Sequence, residues 1–540
     1  MRSTMNELPL AISRLVEYGR TQHADSTVKT WTGEGYRSAT FAEVADRASQ
    51  LAHALKDLGV TGDDRVATFM FNNQEHLEAY LAVPSMGAVL HTLNIRLFAE
   101  QLNFIANHAA DKVVIVDAAL VPLFTPLLPE LHTVKHVIVT GPGGSDLAAP
   151  GVMVHRYDDL LAGQPTTYDW PAIVETDAAA MCYTSGTTGD PKGVVYSHRS
   201  IWLHSLQLGQ SNSFALSEHD SVLAVVPQFH AMSWGVPYAA FLMGYSLIMP
   251  DRFLQAAPLA KMIEVLRPTF AAAVPTIWND LFGFLSANGG DVSSLREVVV
   301  GGSACPPSLM RDFYDKYGIR IIHAWGMTET SPLGSVARPP AGLSEEAAWP
   351  YRYSQGRLPA AVEARLVGPD GSIVAWDGAS VGELEVRGPW ITASYYLADD
   401  PDKFEGDWLR TGDVGSITPN GYLNLTDRAK DVIKSGGEWI SSVDLENHLM
   451  AHPQVKEASV VGVPDEKWGE RPLATVVLQE GATTDVAELR DFLAGRVAKW
   501  QVPERWAVID AVPKTSVGKF DKKLIRSRYA AGELQVVTPK

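Results

Sequence analysis

The feature of this sequence that most directly indicates a chemical role is a run of glycines, hydroxyl side chains and one lysine. Residues 183–193 read Tyr-Thr-Ser-Gly-Thr-Thr-Gly-Asp-Pro-Lys-Gly and directly follow an apolar run. Glycines let backbone N–H groups approach anionic oxygens, hydroxyl groups donate hydrogen bonds or help to hold a metal ion, and lysine supplies positive charge. The run therefore predicts a phosphate-binding loop formed by Thr184, Ser185, Gly186, Thr187, Thr188, Gly189 and Lys192.

This loop differs from the P-loop of ATPases. In the P-loop motif, Gly-Lys is followed by Ser or Thr as the next helix begins. Here Lys192 lies between Pro191 and Gly193, so a P-loop ATPase is not predicted.

Apolar runs of strand length alternate with helix-like stretches over more than half of the chain, and one of these runs carries the loop. Helix-like stretches include residues 40–58 and 98–108. This alternation is typical of parallel sheets with helices on both faces, so we predict a doubly wound α/β fold. The strand-like runs are residues 65–70, 112–117, 136–140, 179–183, 222–226, 246–249 and 297–300.

The pattern changes from about residue 358. Short strands separated by turn signals follow at residues 362–367, 382–387, 415–418 and 422–425, which predicts a small β-barrel-like subdomain. A charged connector comes next, and helix and strand patterns then alternate again in a compact α+β unit. We therefore predict an N-terminal domain over residues 1–426, a hinge or linker over 427–434 and a C-terminal domain over 435–540.

Composition excludes several classes of protein. The 540 residues include 45 Lys and Arg against 62 Asp and Glu, a net charge of -17, so no cationic face for nucleic acid is expected. Two cysteines, Cys182 and Cys305, are too few for a disulfide scaffold or a four-thiolate zinc site, which fits a reducing compartment. The longest apolar stretch, 238–250, is shorter than the roughly 20 residues that span a bilayer. We therefore predict a cytoplasmic protein without a transmembrane segment.

Further motifs follow the loop in a fixed order. Together with the loop they resemble those of the adenylate-forming superfamily, which contains acyl-CoA synthetases, luciferases and peptide-synthetase adenylation domains, and the resemblance covers nearly the whole chain. Lys-Ser-Gly-Gly-Glu-Trp-Ile-Ser-Ser at 434–442 is most similar to medium- and long-chain fatty-acyl-CoA synthetases, with a near branch that activates small thioether acids. The ordered motifs are Val-Pro-Gln-Phe-His at 226–230, Trp-Gly-Met-Thr-Glu at 325–329, Thr-Gly-Asp at 411–413, Asp-Arg-Ala-Lys-Asp at 427–431 and Pro-Lys-Thr-Ser-Val-Gly-Lys at 513–519.

The resemblance implies a reaction in two halves, of which the first joins a carboxylate to the α-phosphate of ATP. Lys519 matches the lysine that bridges the two anions, although alone it would read as a solvated lysine on a basic tail. Glu329 and Thr184 match the residues that hold Mg2+, an ion that prefers hard oxygen ligands. Thr328 matches a hydroxyl that contacts phosphate.

The same resemblance implies an adenosine pocket. Trp325 would stack on adenine and Asp413 would accept the ribose hydroxyls, supported by Arg428. Without the other motifs, we would predict Trp325 to be a core residue and Asp413 to be part of a turn. The other residues implied around the nucleotide are Gly302, Ser303, Ala304, His323, Ala324 and Gly326.

In the second half of the family reaction, the thiol of coenzyme A attacks the acyl-adenylate and expels AMP. The resemblance implies a mobile C-terminal domain that rotates between the halves about Lys430. Gly436 and Gly437 would line the pantetheine tunnel, with Lys434 and Trp439 near the nucleotide. Glu438 would either assist deprotonation of the thiol or serve a structural role, and the sequence leaves both open.

The acyl chain is expected to bind beside residues 230–237. The resemblance places His230 and Ala231 at the carboxylate end and makes Trp234 the aromatic that gates the acyl tunnel, with Gly302 and Gly326 nearby. No Asp stands there to bind an α-amino group, and the uncharged lining favours an apolar tail.

We therefore predict an ATP- and CoA-dependent acyl-CoA synthetase for a medium- to long-chain fatty acid, which forms homodimers as long-chain relatives do. The nearest alternative is a CoA ligase for a short or aromatic acid such as 3-methylthiopropionate. The sequence also leaves open a luciferase-like oxidase and a catalytically silent nucleotide-binding regulator.

Overall fold

The structure is a computed structural model that describes residues 1, 3–144, 147–148, 150–184, 190–428, 430–435, 438–515 and 518–539, with only the backbone of Glu438 and Trp439. It contains mixed α/β sheets and a separate C-terminal domain, which confirms the predicted fold class.

Strands are numbered in chain order. They are β1 (Thr27–Trp31), β2 (Tyr36–Thr40), β3 (Arg65–Phe69), β4 (Val89–Thr92), β5 (Asp111–Asp117), β6 (His136–Thr140), β7 (Met153–Arg156), β8 (Ala178–Tyr183), β9 (Gly193–Ser197), β10 (Ser221–Leu223), β11 (Ser246–Met249), β12 (Phe270–Ala273), β13 (Glu297–Val300), β14 (Arg320–Trp325), β15 (Ser335–Val336), β16 (Gly356–Arg357), β17 (Glu363–Val367), β18 (Gly382–Arg387), β19 (Phe404–Glu405), β20 (Trp408–Ile417), β21 (Tyr422–Arg428), β22 (Ile433–Ser435), β23 (Glu438–Ile440), β24 (Val455–Asp465), β25 (Gly469–Leu478) and β26 (Arg505–Val508).

Helices are numbered in the same way. They are α1 (Ile12–Gln22), α2 (Phe41–Asp57), α3 (Gln74–Ser85), α4 (Ala99–Ala109), α5 (Val121–Phe124), α6 (Tyr157–Leu161), α7 (His198–Gly209), α8 (Val236–Met243), α9 (Ala256–Leu266), α10 (Pro275–Asn288), α11 (Pro307–Tyr317), α12 (Glu345–Tyr353), α13 (Ser442–Met450), α14 (Val486–Ala494) and α15 (Lys522–Ala530).

The first sheet carries the predicted phosphate loop. Its strand order is β7-β6-β5-β3-β4-β8-β9, and every neighbouring pair is parallel except β8 and β9. The antiparallel β8–β9 pair brackets residues 184–192, so the loop begins where β8 ends. Ligands of open α/β sheets bind at this carboxyl edge.

The second sheet combines parallel and antiparallel strands. Its parallel part has the order β14-β13-β12-β10-β11-β1. The predicted β subdomain is antiparallel and joins β14 through β15 and β16. The strand predicted at 222–226 is shorter than expected and ends at Leu223. Beyond it the Val225 N–H donates to the Leu223 carbonyl at 3.0 Å, so it is not available for pairing with a neighbouring strand.

Helices α1, α2, α3 and α8 form a buried layer whose aromatic contacts join the beginning of the chain to its middle. The rings of Phe41 in α2 and Phe241 in α8 stack with centroids 4.3 Å apart, and both side chains are fully buried. Gly19 in α1 allows this packing, because a Cβ atom there would lie 2.3 Å from Phe241 Cδ1.

The C-terminal domain has its own sheet, with the order β23-β22-β25-β24 and β26 beside β25. Strands occupy both ends of the predicted hinge, since β21 continues through Arg428 and β22 begins at Ile433. Helix α14 of this domain ends at Ala494. The domain boundaries stay a prediction.

Among the described residues, no helix is both long and apolar enough to cross a bilayer.

We predict that Phe41→Ala lowers the free energy of unfolding by about 3–5 kcal/mol, because it removes a fully buried ring from this helix layer. Urea denaturation followed by tryptophan fluorescence measures the change. Phe98→Ala is the matched control, since the Phe98 side chain is 81% exposed. Equal effects of the two substitutions would contradict the assignment of Phe41 to the core.

Candidate active site

A cavity of about 590 Å³, called here the main cavity, opens where the phosphate loop, the second sheet and the C-terminal domain meet. Among its described lining residues, basic side chains outnumber acidic ones although the whole chain is acidic, which suits a polyanionic ligand. The basic residues are Arg96, Lys192, Lys403, Arg410, Arg428, Lys430 and Lys519, and the acidic ones are Asp190, Glu329, Glu383 and Asp402.

The base of the phosphate loop is held closed by two hydrogen bonds. The Thr184 N–H donates to the Lys192 carbonyl at 2.9 Å, and the Lys192 N–H donates to Thr184 Oγ1 at 3.1 Å. The Lys192 ammonium forms an ion pair with Asp400 and lies over the Tyr395 ring. Ser185, Gly186, Thr187, Thr188 and Gly189 lie outside the described residues.

Glu329 lies in a 3-10 turn, Thr328–Thr330, that directly follows the Trp-Gly-Met motif, and its carboxylate is 6% exposed. The Tyr395 hydroxyl donates to Glu329 Oε1 at 2.7 Å, and the Thr392 N–H donates to the Glu329 carbonyl at 2.8 Å. Thr328 is buried beside it, and Thr184 lines the same main cavity. A carboxylate and a hydroxyl therefore face one space, which is the donor chemistry that Mg2+ prefers.

Trp325 and Asp413 are joined by a hydrogen bond across the sheet. Trp325 Nε1 donates to Asp413 Oδ2 at 2.7 Å, while Arg428 Nε lies 3.0 Å from Asp413 Oδ1. The Asp413 carboxylate raises the pKa of Arg428, which therefore stays a cation. Gly334 leaves space for the Trp325 indole, because a Cβ atom at position 334 would lie 2.2 Å from Trp325 Cζ3.

A second cavity of about 310 Å³ shares several lining residues with the main cavity. The buried His323 lines it, and burial lowers the pKa of His323 to about 4, so the ring is neutral. Its Nδ1 atom has no hydrogen-bond partner among the described residues. The predicted nucleotide residues brought together here are Gly302, Ser303, Ala304, His323, Ala324, Trp325, Gly326, Asp413 and Arg428.

Two glycines are required where the cavities meet. Gly302 has φ +82°, a left-handed conformation that side chains rarely adopt. At Gly326 a Cβ atom would lie 1.4 Å from the Pro332 carbonyl oxygen, so no larger residue fits. Both lie beside the predicted acyl and nucleotide residues, and backbone alone forms this part of the wall.

Lys519 comes from the C-terminal domain and lies at the junction of the two cavities. Its Cε atom is 3.6 Å from the position of a Cβ atom on Gly302. The Thr515 N–H donates to the Lys519 carbonyl at 2.7 Å. Burial, together with nearby Arg428, lowers the pKa of Lys519 to about 8.

His230 also lines the main cavity. Burial, reinforced by Lys519 and Arg96, lowers the pKa of His230 to about 3, so its ring is neutral near pH 7. Its ring N–H can donate a hydrogen bond to a carboxylate, but the ring adds no charge. The positive charge near His230 therefore comes from Lys519 and Arg96.

The predicted acyl residues lie on a left-handed turn. Ala231, Met232, Ser233 and Trp234 all have positive φ, between 42° and 54°, without a glycine among them. Such strain is uncommon and concentrates at functional sites. The backbone at Gly301 and Gly302 is called here the glycine wall. The Trp234 indole lies against it, with its Cη2 atom 3.0 Å from the position of a Cβ atom on Gly301.

The residues predicted to serve coenzyme A are only partly brought into this site. Lys430 lines both cavities, and burial lowers its pKa. Lys434 instead pairs with Trp439 in the β22–β23 hairpin and does not line either cavity as described. Gly436, Gly437 and the side chains of Glu438 and Trp439 lie outside the described residues.

The side chains at the site that were not predicted from the sequence include Tyr395 on Glu329, Asp400 on Lys192 and Arg96 beside His230. Each contact joins segments far apart in the chain, and none of these residues lies in a recognisable motif. Local spacing carries no signal for such pairs.

Comparison with known proteins agrees with this geometry. The AMP-binding enzyme family matches residues 17–396, and the AMP-binding enzyme C-terminal domain matches residues 444–519. A 3-methylmercaptopropionyl-CoA ligase of Ruegeria pomeroyi is 43% identical over 98% of this chain and 99% of its own. A long-chain-fatty-acid–CoA ligase of Thermus thermophilus is 44% identical over 92% of this chain and 91% of its own.

A medium-chain-fatty-acid–CoA ligase of Ectopseudomonas oleovorans is 41% identical over 98% of each chain. Among solved structures, the anthranilate CoA ligase AuaEII in complex with anthranoyl-AMP superposes with a TM-score of 0.89 at 26% identity, covering 99% of this chain and 100% of that one. The motifs, the cavity they line and these matches over nearly the full length agree, and the chain belongs to the AMP-binding enzymes of the adenylate-forming superfamily.

Proposed function

We propose that this protein is an ATP-dependent, AMP-forming acyl-CoA ligase for an aliphatic carboxylic acid with an uncharged tail. The observation that carries the proposal is the position of Lys519, in one cavity with Glu329 and beside Asp413 and the glycine wall at Gly302. The acid and ATP would give acyl-adenylate and pyrophosphate, and the thiol of coenzyme A would then displace AMP to give the thioester.

In the first half, a carboxylate oxygen attacks the α-phosphorus atom and the bond to pyrophosphate breaks. The attack brings two anions together, so a cation between them stabilises the transition state more than the ground state. Lys519 supplies that cation from within a low-dielectric site, where a charge acts more strongly than in water. Neutral His230 and the backbone at Gly302 would orient the acid.

The residues that line the main cavity fit a bound Mg2+. Glu329 and Thr184 would hold it, since their oxygens face the same space and Tyr395 fixes one oxygen of the carboxylate. When bound, the ion supplies charge that neutralises phosphate oxygens. Asp413 would accept the ribose hydroxyls with the lone pairs that Trp325 and Arg428 leave available.

In the second half, the C-terminal domain would turn about Lys430 so that Lys519 leaves the cavity and coenzyme A enters. The β22–β23 hairpin, which carries Lys434 and Trp439, would then line the thiol's route. Because Glu438 follows Gly437 in this hairpin, it remains a candidate to accept the thiol proton.

The acid is proposed to be short to medium in length, with 3-methylmercaptopropionate or a medium-chain fatty acid as the leading candidates. Leu208, Phe214, Leu333 and Trp234 give the main cavity an apolar part, and Trp234 lies close against the glycine wall beside Lys519. The Ruegeria pomeroyi and Ectopseudomonas oleovorans relatives, which align over 98% of this chain, are named for these two kinds of acid. The proposal therefore moves from a medium- to long-chain acid to the short-acid alternative named in the sequence analysis, or to the medium-chain part of the expected range.

A long-chain fatty acid is the second candidate. The Thermus thermophilus relative is 44% identical, and a movement of Trp234 would lengthen the apolar part of the cavity.

Pyrophosphate release with Mg-ATP can be measured over acids from acetate to palmitate, with 3-methylmercaptopropionate and benzoate included. We predict that the rate peaks at an aliphatic acid of about ten carbons or fewer. Coenzyme A should sustain this release. A maximum at palmitate would support the long-chain candidate instead. Release that never needs coenzyme A but consumes oxygen would contradict the ligase, and silence with every acid would favour a nucleotide-binding regulator.

The Trp234→Ala variant tests the basis for chain length in the same panel. It should move the preferred acid to a longer chain, because a small side chain leaves the apolar part of the cavity open. Trp376→Ala is the matched control, since the Trp376 side chain is 40% exposed and does not line the main cavity as described. An unchanged profile in Trp234→Ala would remove Trp234 from the account of specificity.

We predict that kcat/KM for adenylation is level below about pH 8 and falls nearly tenfold for each further pH unit. The lowered pKa of Lys519, about 8, means that its cationic form is lost as the pH rises through that value. ATP–pyrophosphate exchange measures the profile. Lys519→Arg, which stays charged throughout, should lose this fall, and a level wild-type profile to pH 10 would contradict the role given to Lys519.

A further inference from the structure

Hydrogen bonds tie the chain just before the predicted hinge residue, Lys430, to the start of the C-terminal domain. Asp427 Oδ2 accepts from the backbone N–H of Ser442 at 2.7 Å and from its hydroxyl at 2.6 Å. The Ser441 hydroxyl donates to the Thr426 carbonyl at 2.6 Å. Asp427 is 6% exposed and Ser442 is fully buried, so these contacts are shielded from water.

The segment that carries Lys519 is joined to the same cluster. Lys522, the first residue of α15, lies three positions after Lys519, and its ammonium is 2.9 Å from Glu446 Oε1 and hydrogen-bonded to the Ser442 hydroxyl. The Asp427 carboxylate also acts electrostatically on Lys522. The Ser442 hydroxyl therefore lies between Asp427 and Lys522, which connects the end of β21, just before Lys430, to the segment that carries Lys519.

These contacts form two groups: in one the two residues lie on opposite sides of Lys430 in the chain, and in the other both follow it. Asp427 precedes Lys430, and Ser442 and Lys522 follow it, so a rotation about Lys430 must separate them. The pairs Lys522–Glu446 and Arg526–Asp431 lie wholly on the C-terminal side and can survive the rotation. While Lys519 occupies the main cavity, Ser442 and Lys522 thus satisfy the buried Asp427 carboxylate. A rotation of the C-terminal domain away from this position breaks the hydrogen bonds between Asp427 and Ser442.

We infer that Asp427 is a positioning residue for adenylation: it holds the C-terminal domain where Lys519 occupies the main cavity, and its contacts must be released before coenzyme A can react. The inference rests on the proposed function and its hinge. Asp427 also lines the second cavity, but its carboxylate oxygens accept hydrogen bonds from Ser442 and from the Arg428 N–H, so we assign it a role in the placement of Lys519.

The two half-reactions, measured separately, test this role. In Asp427→Asn, ATP–pyrophosphate exchange should fall about tenfold, because one charge-assisted hydrogen-bond acceptor is lost. Conversion of chemically prepared acyl-adenylate and coenzyme A to thioester should be unchanged or faster. Ser442→Ala, which keeps the backbone N–H contact, should shift the ratio of the two rates in the same direction by less.

Asp465→Asn is the matched control, because Asp465 pairs with Arg505 at 2.9 Å entirely within the C-terminal domain. It should leave the ratio of the half-reactions unchanged. Thermal melting of every variant separates positioning from stability, and if Asp427→Asn does not fold, the Ser442→Ala ratio decides. Equal losses in both halves, or no loss in either, would overturn the inference, whereas a wild-type protein inactive in both halves would overturn the proposed function itself.

Discussion

The site depends on one buried cation that is brought by one domain into a cavity built by another. Lys519 lies beside the glycine wall of the large domain, and burial with Arg428 nearby lowers its pKa to about 8. An ammonium held there without an anion is costly, and it becomes favourable when carboxylate and phosphate are bound. In the proposed reaction, the placement of the C-terminal domain, in addition to local structure, therefore determines whether adenylation can occur.

In the proposed reaction, the rest of the cavity would leave space for those anions and orient them. Gly326 and Gly302 place backbone instead of side chains where the predicted acyl and nucleotide residues meet. Tyr395 holds Glu329, and Trp325 and Arg428 hold Asp413, so both carboxylates are fixed before a ligand arrives. Preorganised groups of this kind need little rearrangement during the reaction.

Much of this could be predicted from the sequence where the signal is local. Alternating strands and helices indicated the α/β class, and glycine-rich or charged motifs indicated the segments that line the cavities. Contacts between distant segments could not be predicted: Tyr395 reaches Glu329 across 66 positions, and Asp427 reaches Ser442 across 15. The left-handed turn at 231–234 could not be predicted from the sequence either, because Ala-Met-Ser-Trp contains no glycine to indicate positive φ.

The most direct test of the central claim is the Lys519→Ala variant assayed in each half-reaction. If Lys519 bridges carboxylate and α-phosphate, ATP–pyrophosphate exchange should fall by at least about a thousandfold, the scale on which removal of a key electrostatic group lowers the rate. Thioester formation from prepared acyl-adenylate and coenzyme A should stay within about threefold of wild type, a difference of less than about 1 kcal/mol in barrier height. Equal loss of both halves, or full retention of exchange, would contradict the account.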